Sequence, residues 1–213
     1  MSLRLTEIFF SLQGEARTVG RPTVFIRLTG CPLRCVWCDT EYAFNGGTLW
    51  SIEQILQEIQ PYQARYITVT GGEPLAQPEC LTLLTALADA GYSVSLETSG
   101  ALDIAPVDTR NSKVMDLKAP GSGEVHRNLS SNIAHLTNHD QVKIVITDRQ
   151  DYDWAKMQCD VFKLYERVDD VLFSPAHGQL SPTTLAEWIL ADRIDVRMQL
   201  QLHKYLWNNQ PGH

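Results

Sequence analysis

The sequence has no surplus of positive charge: 18 Lys and Arg stand against 25 Asp and Glu, for a net charge of -7. Binding to a phosphate backbone normally draws on a basic excess, so nucleic acid is not expected as a direct partner. Long apolar runs are missing too. No stretch approaches the roughly 20 consecutive apolar residues that a membrane helix needs. The first residues, MSLRLTEIFF, lack the charged, apolar and small-residue succession of a signal peptide. No membrane association and a cytoplasmic location are therefore expected. Cysteines are few and odd in number, five in all, with three of them inside eight residues. That distribution disfavours a disulfide framework and favours thiols or metal ligands in a reducing compartment. Internal repeats, low-complexity tracts and an interdomain linker are also lacking.

What is present is a 213-residue chain, 44% hydrophobic, long enough to bury a core as a single domain over 1–213. Short β-branched or apolar runs at 23–29, 66–70, 92–98, 113–118, 141–147, 171–174 and 196–202 read as strands. Segments with helical spacing lie between them, at 51–59, 78–90, 151–159 and 182–191, with Ser51 and Ser181 at plausible N-caps. The alternation predicts an α/β fold with a mainly parallel sheet, because a parallel crossover needs a long return connection. Reactive groups in such folds gather at the C-terminal ends of the strands. The words Thr29-Gly30-Cys31, Thr70-Gly71-Gly72-Glu73-Pro74, Glu97-Thr98-Ser99-Gly100 and Asp116-Leu117-Lys118 each follow a predicted strand, so one rim is expected to collect them. The glycine- and serine-rich stretch 121–132 is predicted to be an exposed loop with no fold of its own.

Cys31-Pro32-Leu33-Arg34-Cys35-Val36-Trp37-Cys38 places three thiols in one loop with gaps of three and two residues. Gly30 and Pro32 favour a turn that lets the thiols converge. Soft thiolates suit zinc, copper(I) or iron–sulfur centres, and structural zinc normally takes four ligands. His126, His135, His139, His177 and His203 are all distant in sequence. Three ligands with one position open fit an iron–sulfur cluster with one iron free for an exogenous chelator; zinc and three unreactive cysteines stand as the alternatives. Cys80 and Cys159 read as small buried hydrophobes.

The pattern CxxxCxxC, with an aromatic before the last Cys, resembles the signature of the radical S-adenosylmethionine (SAM) superfamily, and Gly71-Gly72-Glu73-Pro74 resembles the segment that receives the SAM amino group. The resemblance implies an incomplete TIM-like β/α barrel of the radical SAM type, a 4Fe–4S cluster on Cys31, Cys35 and Cys38, and SAM as cofactor. Four further words narrow it. Ser11-Leu12-Gln13-Gly14-Glu15, Phe25-Ile26-Arg27-Leu28, Cys38-Asp39-Thr40 and His203-Lys204-Tyr205-Leu206 are similar to the 7-carboxy-7-deazaguanine synthase family over nearly the whole chain.

That family converts 6-carboxy-5,6,7,8-tetrahydropterin into 7-carboxy-7-deazaguanine with loss of ammonia, on the route to queuosine and related deazapurines. Carried over, the resemblance implies substrate contacts at Leu12, Gln13, Gly14, Arg27 and Thr98, and places His203 at the active-site side, although that residue also reads as a satisfied interior histidine at the end of the last predicted strand. SAM contacts are implied at Trp37, Cys38, Asp39, Gly72, Glu73 and Gly100. They extend to Asp116, Leu117 and Lys118 and to the Ser174-Pro175-Ala176-His177 stretch. Thr40 corresponds to a ligand of Mg2+, a flavodoxin-like protein is the implied electron donor, and a homodimer is the expected assembly. Arg27 also reads as an ordinary strand-end residue, and Thr40 as a turn cap. Ala16 replaces a glycine of the family pattern, so the N-terminal loop is expected to take a different path. A glycyl-radical-enzyme activase and a non-catalytic iron–sulfur protein are the rival readings.

Overall fold

A computed structural model describes residues 2–208, 210 and 212. Strand β1 (Ser2–Leu12) pairs antiparallel with β2 (Pro22–Leu28) and, on its other edge, with the short β3 (Thr48–Ser51). From β2 onward the pairing is parallel, through β4 (Tyr66–Gly71), β5 (Ser93–Thr98), β6 (Ser112–Asp116), β7 (Gln141–Ile146), β8 (Asp170–Pro175) and β9 (Arg197–Met198). The order is β3-β1-β2-β4-β5-β6-β7-β8-β9, an open sheet with β3 and β9 at its edges. The strand–helix alternation predicts the mainly parallel sheet, and its open order is the incomplete β/α barrel that the family resemblance implies.

Each connecting helix starts where local chemistry allows. Ser51 caps α1 (Ile52–Ile59) in a reciprocal box: its hydroxyl accepts from the Gln54 amide at 3.2 Å, and the Gln54 side chain accepts from the Ser51 amide at 2.8 Å. Asp148 caps α3 (Arg149–Phe162), which therefore begins earlier and runs longer than the predicted segment. Helices α2 (Cys80–Asp89), α4 (Leu164–Arg167), α5 (Pro182–Asp192) and α6 (Leu202–Trp207) complete the set.

Side chains alternate across a strand, and here the two faces differ. Val24, Ile26, Leu28, Ile67, Val69, Val94, Leu96, Val142, Ile144, Val171 and Phe173 join Ile55, Leu84, Tyr152 and Leu185 of the helices in one core. Their neighbours in register, Phe25, Arg27, Thr68, Thr70, Glu97, Asp116, Lys143 and Ser174, line a cavity on the other face. A parallel sheet covered on both faces reads as continuous apolar runs; this one is covered by helices on one side and left polar on the other.

The segment that follows β1 lies against that polar face. Gln13 donates to Thr68 at 2.9 Å, the Ala16 amide donates to Gln199 at 2.5 Å, and the Arg17 amide donates to Gln141 at 2.9 Å. One short stretch thus touches β4, β7 and the chain beyond β9.

Two expectations are corrected. The strand predicted at 196–202 is only two residues long, and His203 sits on α6, because Gln199 and Gln201 turn inward to bond Glu15. The stretch 121–132 is not a formless loop: 3-10 turns at Pro120–Ser122, Val125–Arg127 and Ser130–His135 organise it, and Ser122 and Asn132 are fully buried. Asn132 donates to the Gly100 and Leu102 carbonyls and accepts from the Ile104 amide. Ala16, which stands where the family pattern has glycine, adopts the left-handed conformation at φ 60°.

A left-handed alanine costs roughly 1–2 kcal/mol that glycine avoids. Ala16→Gly is therefore expected to raise the unfolding free energy by about 1 kcal/mol, read as a higher urea midpoint.

Candidate active site

Cys31, Cys35 and Cys38 follow β2, and all three are free, half-buried thiols. They line a cavity of about 580 Å³ at the C-terminal ends of the parallel strands. Burial pushes each thiol up, Cys35 to about 11, so a metal must displace their protons to bind. Among the described residues no three His, Cys, Asp or Glu side chains converge on one metal-ion position. Three thiols in one loop suit three iron corners of a cluster and leave the fourth for another ligand.

Neighbouring segments hold the cysteine loop in place. The Val36 amide donates to the Ser122 carbonyl at 3.0 Å and the Arg34 amide to Glu124 at 2.6 Å, which gives the 121–132 stretch its role. Arg34 also donates to the carbonyls of Cys31 and Leu33 and lies 4.2 Å above the Phe44 ring. From the other side the Glu73 amide donates to the Gly30 carbonyl at 2.8 Å. A Cβ at Gly72 would strike that same carbonyl and come within 2.7 Å of the Cys31 Cβ, so only glycine allows the β4 loop this close.

Glu73 is wholly buried. Its carboxylate accepts from the Leu75 amide, the Thr98 hydroxyl, and the Ser99 amide and hydroxyl, at 2.5–3.0 Å. The carboxylate thus ties the β4 loop to the β5 loop from behind the cavity wall. Glu73, Gly100 and Leu117 do not line the cavity, and Pro175 lines a smaller adjoining one of about 300 Å³ shared with His177. Leu12, Gln13, Gly14, Arg27, Thr98 and His203 line the main cavity together with Trp37, Asp39, Thr40, Gly72, Asp116, Lys118, Ser174 and His177. Thr98 does so with its hydroxyl committed to Glu73.

Two buried polar atoms in this wall, Trp37 Nε1 and Asp116 Oδ1, have no hydrogen-bond partner. Beside them Lys118 pairs with Asp116 at 2.9 Å and stands 4.6 Å over the Trp37 ring. Orphaned donors and acceptors of this kind are uncommon in folded proteins, and their position fits a bound polar cofactor.

Sequence reasoning missed the charged centre of the cavity. Lys143 Nζ lies 2.7 Å from Glu15, 3.8 Å from Asp116 and 3.9 Å from Glu97. Burial acts against its charge, but the surrounding carboxylates hold the ammonium well above the ordinary lysine range. Glu15, although desolvated, is kept low by Lys143; burial pushes Glu97 up to about 7. Glu15 also accepts from Gln199 and Gln201.

The far wall comes from α6. Lys204 pairs with Asp39 at 2.7 Å, and the two lysines Lys204 and Lys143 hold that carboxyl below the usual range despite its burial. His203 packs on Gly14, where a Cβ would lie 2.5 Å from its Nδ1, and burial lowers the imidazole from 6.5. Thr40 donates to Asp39 at 2.9 Å.

The comparisons with known proteins agree with this geometry. Residues 25–114 match the Radical SAM superfamily. The 7-carboxy-7-deazaguanine synthase of Chlorobaculum tepidum is 43% identical over 209 residues, covering 97% of this chain and 94% of that protein. The one of Koribacter versatilis is 41% identical, covering 96% and 97%. The chain belongs to the 7-carboxy-7-deazaguanine synthase family. The crystal structure of QueE from Escherichia coli superposes with a TM-score of 0.78 at 25% identity, over 95% of both chains. As a radical SAM enzyme of this family, the protein uses a 4Fe–4S cluster and SAM, and the activase and electron-carrier readings are not favoured.

Removing one member of a buried ion pair strands the other, at a cost of about 3–5 kcal/mol. Lys143→Met is expected to lose that much in urea unfolding at pH 7, with partial recovery when Glu15→Gln is added.

Proposed function

We propose that this chain, as one radical SAM domain over 1–213, converts 6-carboxy-5,6,7,8-tetrahydropterin into 7-carboxy-7-deazaguanine with release of ammonia. The observation that carries this reading is the trio of half-buried thiols in one loop, opening into a cavity with unsatisfied polar atoms in its wall. Cys31, Cys35 and Cys38 hold the cluster. When bound, the cluster and SAM together supply the one-electron chemistry that removes a hydrogen atom from the substrate.

The chain's own part is to bind, orient and exclude water. Trp37, Asp39, Gly72, Asp116, Lys118, Ser174 and His177 present donors, acceptors and an aromatic face to SAM. Glu73, Gly100, Leu117 and Pro175 act indirectly, by shaping the loops that carry these groups. The pterin lies between Leu12, Gln13, Gly14, Thr98 and His203. Arg27 spends its Nε on Glu7 at 2.7 Å, and its two remaining nitrogens offer the planar fork that suits the substrate carboxylate. Thr40 supplies a hard oxygen for Mg2+, which suits a carboxylate-bearing substrate. Val36, 72% exposed within the cysteine loop, marks the face where a flavodoxin-like donor reaches the cluster. Exposed Met157 and Val161 on α3 and Leu190 on α5 suit a homodimer contact, the net charge of -7 supports the absence of a nucleic-acid partner, and a cytoplasmic location suits a chain in which no described helix is long and apolar enough to cross a membrane.

Anaerobic turnover of the reconstituted enzyme with the carboxytetrahydropterin, SAM, Mg2+ and dithionite is expected to yield the deazaguanine by mass spectrometry. Cys35→Ala abolishes the product and chelation of Mg2+ lowers its rate. SAM cleavage without a deazaguanine would refute the substrate assignment.

A further inference from the structure

Most polar groups facing the cavity are already engaged. Glu15 is bonded by Lys143, Gln199 and Gln201; Glu7 by Arg27 and Tyr42; Asp39 by Lys204 and Thr40. Asp116 keeps one oxygen free beside Lys118, on the wall next to Trp37 and the cysteine loop. Glu97 is different. Among the described residues no protein group donates a hydrogen bond to its carboxylate, and the nearest cation, Lys143, stands 3.9 Å away. Its side chain is 19% exposed, and it reaches the same cavity from β5.

We propose that Glu97 is the specificity residue for the pyrimidine edge of the substrate, accepting hydrogen bonds from its 2-amino group and adjacent ring N–H through both carboxylate oxygens. This rests on the carboxypterin reading above. A 2-amino-4-oxopyrimidine presents two donors side by side, and a carboxylate is the side chain that accepts such a pair in parallel. The opposite, acidic end of the substrate calls for a cation, and Arg27 lines the same cavity from β2. Phe25, stacked on Phe9 at 4.8 Å, adds a flat apolar wall. Donor-accepting, apolar and cationic surfaces therefore meet in one chamber.

A carboxylate without donors in a cavity wall destabilises the free protein, which is a common feature of binding sites. Burial pushes Glu97 up to about 7, with Glu15 and Asp116 acting in the same direction and Lys143 and Arg27 opposing them. The protonated acid offers one donor and one acceptor, a poor match to two donors; the ionised form matches both. Affinity for the donor edge therefore rises with pH as Glu97 ionises. His203, His177, Tyr42 and the three thiols also line the cavity; burial pushes His203 down from 6.5 and Tyr42 and the thiols up, and the Glu97→Gln variant separates their contributions from that of Glu97.

The probe is pterin-6-carboxylate, fluorescent and not turned over, titrated into the reconstituted full-length enzyme with SAM between about pH 6 and about pH 7.5, where Glu97 changes charge. Wild type is expected to bind more tightly as pH rises and to reject the analogue lacking the 2-amino group by about tenfold or more. Glu97→Gln, nearly isosteric, is expected to bind pterin-6-carboxylate about tenfold more weakly at the upper pH, with a flat pH profile and no discrimination between the two probes. Glu97→Asp keeps the discrimination in part. Unchanged affinity and discrimination in a folded Glu97→Gln protein would overturn the inference. So would a loss confined to SAM affinity, which would give the carboxylate to the SAM ammonium group. Failure of the wild type to bind the pterin at all would instead overturn the substrate reading on which the inference stands.

Discussion

The positive charge of Lys143 organises the inner face of this sheet. Alternation along β5, β6 and β7 turns Glu97, Asp116 and Lys143 away from the apolar core and into one chamber, where the Lys143 ammonium stands within 4 Å of three carboxylates, one of them also paired with Lys118. Glu15 reaches that ammonium from the segment after β1, and Glu15 in turn gathers Gln199 and Gln201 from the chain beyond β9. The sheet is open between β3 and β9, so nothing in its backbone pairing joins its two ends. The charge network does so from inside, and carries α6, with His203 and Lys204, to the cavity. Desolvating such a group of charges is costly, and a buried pair is weak support for stability. Its effect is positional, fixing where the N-terminal loop and α6 meet.

The cysteine loop is positioned by different means. It has no core of its own and is suspended from Ser122 and Glu124 on one side and from Gly30, Gly72 and Glu73 on the other. Glu73 is central to that arrangement because its side chain fastens the β5 loop while its amide fastens the cysteine loop. Glu73, a SAM contact by the family resemblance, also braces the β4, β5 and cysteine loops against one another. The thiols remain half-buried and without a local counter-charge strong enough to ionise them, a setting in which a positively charged cluster is what stabilises the thiolates.

Much of this was legible in the residues themselves. Cysteine spacing, the TGGEP word and the strand runs at 66–70, 92–98 and 141–147 depend on local pattern, and the structure places them at the expected rim. What escaped depends on partners distant in sequence. Strand β1 lost its period-2 signal at a register shift between Leu5 and Glu7, and β3 is only four residues long. The run at 196–202 alternates like a strand, yet Gln199 and Gln201 are drawn inward by Glu15, and the chain turns into α6 instead. Stretch 121–132 has a loop's composition, but Ser122 and Asn132 are buried in it: the Ser122 carbonyl accepts from the Val36 amide, and the Asn132 side chain bonds the backbone of Gly100, Leu102 and Ile104. Single charges such as Glu97 and Lys143 form no motif; only their place on alternate strand positions, opposite Leu96 and Ile144, marks them as inward-facing.

The central claim is that the polar concave face of the open sheet is the reaction chamber, with the three-cysteine cluster at its rim. An anaerobic crystal structure of the reconstituted enzyme with SAM and pterin-6-carboxylate tests it most directly. The account predicts a cluster held by Cys31, Cys35 and Cys38, with SAM on the remaining iron and the pterin lying against Glu97 and Arg27. A fourth protein ligand on the cluster, or a pterin bound outside the concave face, would contradict it.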